Sequence, residues 1–84
     1  MERHERLRLA RQRAGFRSAA DAARRLGLPY GTYSGHESGF RGIKQDELAL
    51  YAETFQVPLP WLAFGQGGPD ASAFETVPVV GLAG

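Results

Sequence analysis

Residues 19–37 read Ala19-Ala20-Asp21-Ala22-Ala23-Arg24-Arg25-Leu26-Gly27-Leu28-Pro29-Tyr30-Gly31-Thr32-Tyr33-Ser34-Gly35-His36-Glu37. Ala19, Ala22, Ala23 and Leu26 recur at helical spacing, so the first half is a helix with a stripe of small residues on its inner face. Ser18, just before it, can cap its first amides, with Asp21 three residues on as a short form of the capping box. Gly27 stops the helix, as a residue free to turn left-handed does. Pro29 suits the first turn of a second helix, where a missing N–H costs nothing. That helix runs from about Pro29 to Glu37. It contains Gly31 and Gly35, so it is intrinsically weak and must be held by packing.

Two such helices can cross closely if a small residue sits at the crossing and a glycine opens the turn. Ala23 is that small residue, and Gly27 follows four positions later. Tyr33 and His36 anchor the second helix, with Ala22, Leu26 and Leu28 filling the space between. The opposite face is then free to enter a DNA major groove. An ordinary helical hairpin shows Ala and Gly at these intervals too.

Outward from this pair, residues 2–14 lack Gly and Pro and are rich in helix formers. Leu7, Ala10 and Ala14 mark one narrow apolar face, and Gly15 ends the helix. Ser38-Gly39-Phe40-Arg41-Gly42 is a loop. Gln45 to Phe55 is a helix with Leu48, Tyr51, Ala52 and Phe55 on one side. Pro58 to Phe64 makes a short fifth helix that turns Trp61 and Leu62 inward. The expectation is an all-α, five-helix bundle over residues 1–65. Residues 66–84 are a second segment: a linker-like Gln66-Gly67-Gly68-Pro69-Asp70-Ala71-Ser72, then the strand-like Val77-Pro78-Val79-Val80-Gly81-Leu82.

The 84 residues suit one small domain, and 43% hydrophobic residues suffice for its core. There is no cysteine, which excludes a disulfide scaffold and a Cys-ligated zinc site. Met1-Glu2-Arg3-His4-Glu5-Arg6 has no apolar stretch, so no secretory signal is expected, and no apolar run is long enough for a membrane span. The expected location is cytoplasmic, with the nucleoid. The net charge of +1 conceals an asymmetry. All ten basic residues lie at or before Lys44, against four acids, a net of +6, while residues 45–84 carry five acids and no base. The first half therefore suits a polyanion, although an Arg-rich solvated helix gives the same count.

The chain from Leu7 to Gly65 resembles the Xre/phage-repressor helix-turn-helix family. The resemblance rests on Arg11, Ala14-Gly15-Phe16, Ala22-Ala23, Leu26-Gly27-Leu28, Thr32-Tyr33-Ser34, Glu37-Ser38-Gly39, Phe55-Gln56-Val57, Trp61-Leu62 and Gly65. It implies sequence-specific binding of double-stranded operator DNA, with no catalytic activity and no cofactor. Val77 to Gly84 resembles the segment that opens the LexA-like, S24-type regulatory domain of self-cleaving repressors. That implies a longer repressor that dimerises through a C-terminal domain lying beyond this sequence. An antitoxin, whose residues from Gly67 onward wrap a toxin, is the alternative. A helical interaction module that no longer reads DNA is a third.

The family's pattern places Tyr30, Gly31, Ser34 and Gly35 at base edges. Relatives often carry Gln, Asn or Arg there, which grip bases bidentately. Small residues shift the burden to close backbone approach, to DNA shape or to Arg41. The alternative reading is that the glycines only permit tight helix packing. Phosphate contacts are expected from Arg17, from Ser18 with the first amides of its helix, and from Ser38, Arg41 and Lys44. The family usually has Gln where Ala19 stands, and Arg17 can replace that contact. Arg11 and Glu37 match a partly buried salt bridge of the family. Arg3, Arg6, Arg8 and Arg13 point several ways, so some should pair with Glu2 or Glu5. His4 and His36 lack metal-ligand spacing, and His36 is expected to be a packed, hydrogen-bonded side chain.

Overall fold

A computed structural model describes residues 1–70. Five helices follow in order: α1 (Arg3–Arg13), α2 (Ala19–Leu26), α3 (Tyr30–Ser38), α4 (Gln45–Phe55) and α5 (Leu59–Phe64). The described residues form no strand. The expected strand-like run Val77–Leu82 lies outside them.

Each helix has a local reason to start and stop. Ser18 Oγ accepts the Asp21 amide at 3.1 Å, which makes Ser18 the cap of α2. Asp21 completes no reciprocal box; its carboxylate pairs with Arg24 one turn on. At the far end, Gly27 sits at φ +73° and the Leu28 amide bonds back to the Ala23 carbonyl at 2.9 Å. This is a Schellman stop. Gly15 does the same after α1, where the Phe16 amide reaches the Arg11 carbonyl at 3.1 Å. Pro29 and Pro58 stand just outside α3 and α5 as N-caps, each one position before the helix it was expected to open from within. Glu47 accepts the Lys44 amide at 2.8 Å and so fixes the start of α4.

The core is built on Leu7, Ala10, Tyr33, Tyr51, Phe55, Trp61 and Leu62, with Ala22 and Ala23 where α2 meets α3. Tyr33 meets Tyr51 edge-on with ring centroids 5.5 Å apart, and Phe16 leans on Phe55 at 5.7 Å. Helix α1 spans the bundle, packing on α3, α4 and α5. Its inner face differs from expectation. Ala14 is exposed, because the helix has already ended at Arg13, and the buried positions are Arg6, Leu7, Ala10 and Arg11.

Arg6 and Arg11 are buried because every guanidinium nitrogen of each finds an acceptor. Arg6 donates to the carbonyls of Leu62 (3.0 Å), Ala63 (3.1 Å) and Met1 (2.6 Å), and Arg3 donates to Ala63 at 3.0 Å. Together Arg3 and Arg6 cap the C-terminus of α5, whose last carbonyls lack helical partners and carry partial negative charge. The pairing of these arginines with Glu2 or Glu5 is not what forms. Glu5 is occupied by the Glu2 amide at 2.6 Å, which holds its carboxyl below the ordinary value. Arg13 pairs instead with Asp70, and Arg8 lies 3.9 Å from Glu37.

Candidate nucleic-acid interface

Helix α3 turns two different faces to its surroundings. Tyr33, His36 and Glu37 point into the bundle and are buried. At 100° per residue, Gly31, Gly35 and Ser38 fall opposite, with Ser34 and Tyr30 on one flank. Tyr30 is 58% exposed, Gly31 is exposed and Ser34 is half-buried. The outer face is therefore small and shallow, edged by one aromatic hydroxyl.

The inner face is held rigidly. Arg11 grips Glu37 with two bonds, Nε to Oε2 at 2.7 Å and Nη2 to Oε1 at 3.2 Å. The Tyr33 hydroxyl donates to the same Oε2 at 2.7 Å, and Arg11 Nη1 donates to the Phe16 carbonyl at 2.8 Å. The Arg11–Glu37 pair thus ties α1, the α1–α2 turn and α3 together. The pair is more deeply buried than the partly buried bridge expected, with both side chains below 10% exposure. Burial first, and then the bond to Glu37, raises the Tyr33 hydroxyl well above the ordinary tyrosine value.

His36 is packed as expected. Its Nδ1 lies 2.7 Å from the Tyr51 hydroxyl and its Nε2 lies 3.5 Å from Glu47 Oε1. That chain fastens α3 to α4. Burial, followed by the charge of Glu47, pushes Tyr51 up to about 12. Every buried side-chain N or O atom among the described residues has a partner. No group of three His, Cys, Asp or Glu among those residues is placed to hold a metal.

The expected phosphate ligands differ in how free they are. Arg17, Arg41 and Lys44 have no carboxylate within 4.0 Å among the described residues, and the same holds for Arg25, which was not among the expected ligands. Ser18 uses a lone pair on Asp21 and keeps its O–H to donate. Ser38 is engaged: its Oγ donates to the Gly35 carbonyl at 3.3 Å and accepts the Phe40 amide at 3.3 Å. Gly35 is not open, because the aliphatic stem of Arg41 lies across it.

The helix-turn-helix family model matches residues 7–62. The matched stretch runs from Leu7, inside α1, to Leu62, inside α5, and includes the Ala23–Gly27 crossing and the Arg11–Glu37 tie. The chain belongs to the helix-turn-helix family. This is a family of DNA-binding transcription regulators rather than of enzymes. No curated protein and no solved structure matches the chain. No helix among the described residues is long and apolar enough to cross a membrane.

Two features of this helix-turn-helix were not anticipated from the residues. One is the cap that Arg3 and Arg6 place on α5; nothing in the local sequence marks a guanidinium that bonds to carbonyls more than fifty positions away. The other is Phe40, 88% exposed beside Arg41 at the tip of the loop after α3. Its neighbour Gly39 is required twice over. It sits at φ +86°, and a Cβ there would stand 2.9 Å from the His4 ring of α1.

Proposed function

We propose that residues 1–65 are the DNA-binding domain of a bacterial or phage transcriptional repressor. The observation that carries this is the α2–turn–α3 unit, anchored by Tyr33, His36 and Glu37, with Tyr30 and Gly31 exposed on the outer side of α3. On this reading α3 lies in the major groove. Tyr30 and Ser34 meet base edges, and Gly31 lets the backbone approach closely. Arg17, Ser18 with the first amides of α2, and Lys44 hold the phosphates, which set register without reading sequence. Ser38 joins them only by releasing the Gly35 carbonyl.

Residues 66–84 are then the linker and the start of a LexA-like regulatory domain, the reading suggested by Val77 to Gly84. Through that domain two copies would sit on a pseudo-palindromic operator, with half-sites about one helical turn apart. A single copy would bind a half-site weakly, because tethering is lost.

The test is duplex binding by the 84-residue chain across a salt series. Most of the arginines are occupied within the protein, so roughly four free cations remain, and the log–log slope should be about −3 to −4. A flat salt dependence, or no binding to any duplex at low salt, removes the DNA reading. Capture of a toxin by the residues from Gly67 onward would make the chain an antitoxin instead of a repressor.

A further inference from the structure

The recognition helix has a glycine at position 35, and the structure shows what that glycine accommodates. An ideal Cβ on Gly35 would stand 2.8 Å from Arg41 Cδ, 3.0 Å from Cγ and 3.4 Å from Nε. The Arg41 side chain therefore runs through the space that a side chain of residue 35 would fill. The loop is pinned to keep it there. The Arg41 amide donates to the Gly35 carbonyl at 3.0 Å, and Ser38 Oγ donates to the same oxygen. Gly39, at φ +86°, makes the reversal that brings the loop back along α3. Position 35 lies one turn after Gly31 and opposite the buried face, so the stem of Arg41 rests on the outer side of the helix. Its guanidinium has no carboxylate within 4.0 Å among the described residues.

We propose that Arg41 is the reading side chain of position 35, delivered from the loop across Gly35 to a guanine in the major groove. This rests on the proposed DNA-binding function and replaces the phosphate role expected for Arg41. The chemistry fits the fork of an arginine, which donates two parallel hydrogen bonds to guanine O6 and N7. It also accounts for a recognition helix otherwise poor in readout groups. The helix supplies the platform, and the loop supplies the donor.

The experiment is oligonucleotide selection with the full chain and its R41A, R41K, G35A and G35A/R41A variants, each checked for folding by thermal melting. R41A should lose preference at one guanine by about 5- to 150-fold, with the other positions still selected. R41K keeps the charge but lacks the fork, so it should lose most of that preference. G35A displaces the stem and should lose the same guanine, while the double variant should be no worse than R41A. A uniform loss over all sequences in R41A, with the salt slope about 1 smaller and R41K restoring wild-type binding, would make Arg41 a phosphate anchor and overturn the proposal. Unchanged guanine preference in a folded G35A would overturn the seat on Gly35. If the wild-type chain selects a sequence that R41A selects equally well, the proposal alone falls. If the wild type binds no duplex, the DNA-binding reading falls with it.

Discussion

Glu37 shows how much one side chain can hold. Its two oxygens take two bonds from Arg11 and one from Tyr33, and all three groups are buried. A buried ion pair is costly to break from one side, because the other charge is left without a partner. Arg11→Met or Glu37→Gln should each lower stability by about 3–5 kcal/mol in urea unfolding. The double variant should lose much less than the sum of the two, since it strands no charge. Tyr33→Phe removes one neutral donor from a charged acceptor and should cost about 1.5–3 kcal/mol. Additive losses in the Arg11/Glu37 cycle would show that the contact carries no coupling.

Among the elements, the turns and the last helix test two separate kinds of support. Gly27 sits at φ +73° with open space where a Cβ would go, so Gly27→Ala should cost only the left-handed strain, about 1–2 kcal/mol. Gly39→Ala should cost more, since the added methyl also meets His4. Helix α5 has only six residues and cannot persist alone. It depends on Trp61 and Leu62 in the core and on the guanidinium of Arg6 at its carbonyl end. Arg6→Met keeps the apolar stem but removes the donors, and should lower stability by about 2–3 kcal/mol. Arg8→Met, on the exposed side of α1, is the matched control and should change stability by less than about 1 kcal/mol. Equal losses for the two variants would refute the capping role of Arg6.

At the scale of the whole molecule, the basic half of the chain is less available than its charge implies. Arg3 and Arg6 cap α5, Arg11 is tied to Glu37, Arg24 to Asp21 and Arg13 to Asp70. This is why the salt slope expected for DNA binding is modest. The buried tyrosines set a second global property. Tyr33 and Tyr51 are both raised above the ordinary value of 10, Tyr51 to about 12. Folding therefore favours the protonated hydroxyls, and their contribution is fully present below pH 10. Above it the unfolded chain releases two protons that the folded chain retains. Stability should then fall by about 1.4 kcal/mol per pH unit for each tyrosine, until the folded hydroxyls ionise in turn. Urea unfolding between pH 8 and 11.5 checks this. Tyr51→Phe should flatten the decline, and a stability independent of pH across that range would contradict it.

The helices, their order and the turn between α2 and α3 were legible from the residues alone. Those features rest on interactions within a turn or two: apolar spacing along α2 and α4, the Ser18 hydroxyl over the Asp21 amide, and left-handed glycines at 15 and 27. Local backbone chemistry needs only the residues that carry it. The outward placement of Gly31 was legible in the same way, from helical periodicity against Tyr33 and His36, whereas the place of Tyr30 came from the resemblance. The Arg11–Glu37 tie was reached only through resemblance, because a spacing of 26 residues specifies no contact. Tertiary structure decided the rest. It buried Arg6, which spacing could not separate from the exposed Arg8, by bringing the end of α5 to it across 56 residues. It joined His36 to Tyr51 between α3 and α4. It laid Arg41 across Gly35, turning an empty helix position into an occupied one. A guanidinium finds its partner only when packing chooses which faces meet, and that choice belongs to the assembled core, not to any single stretch of chain.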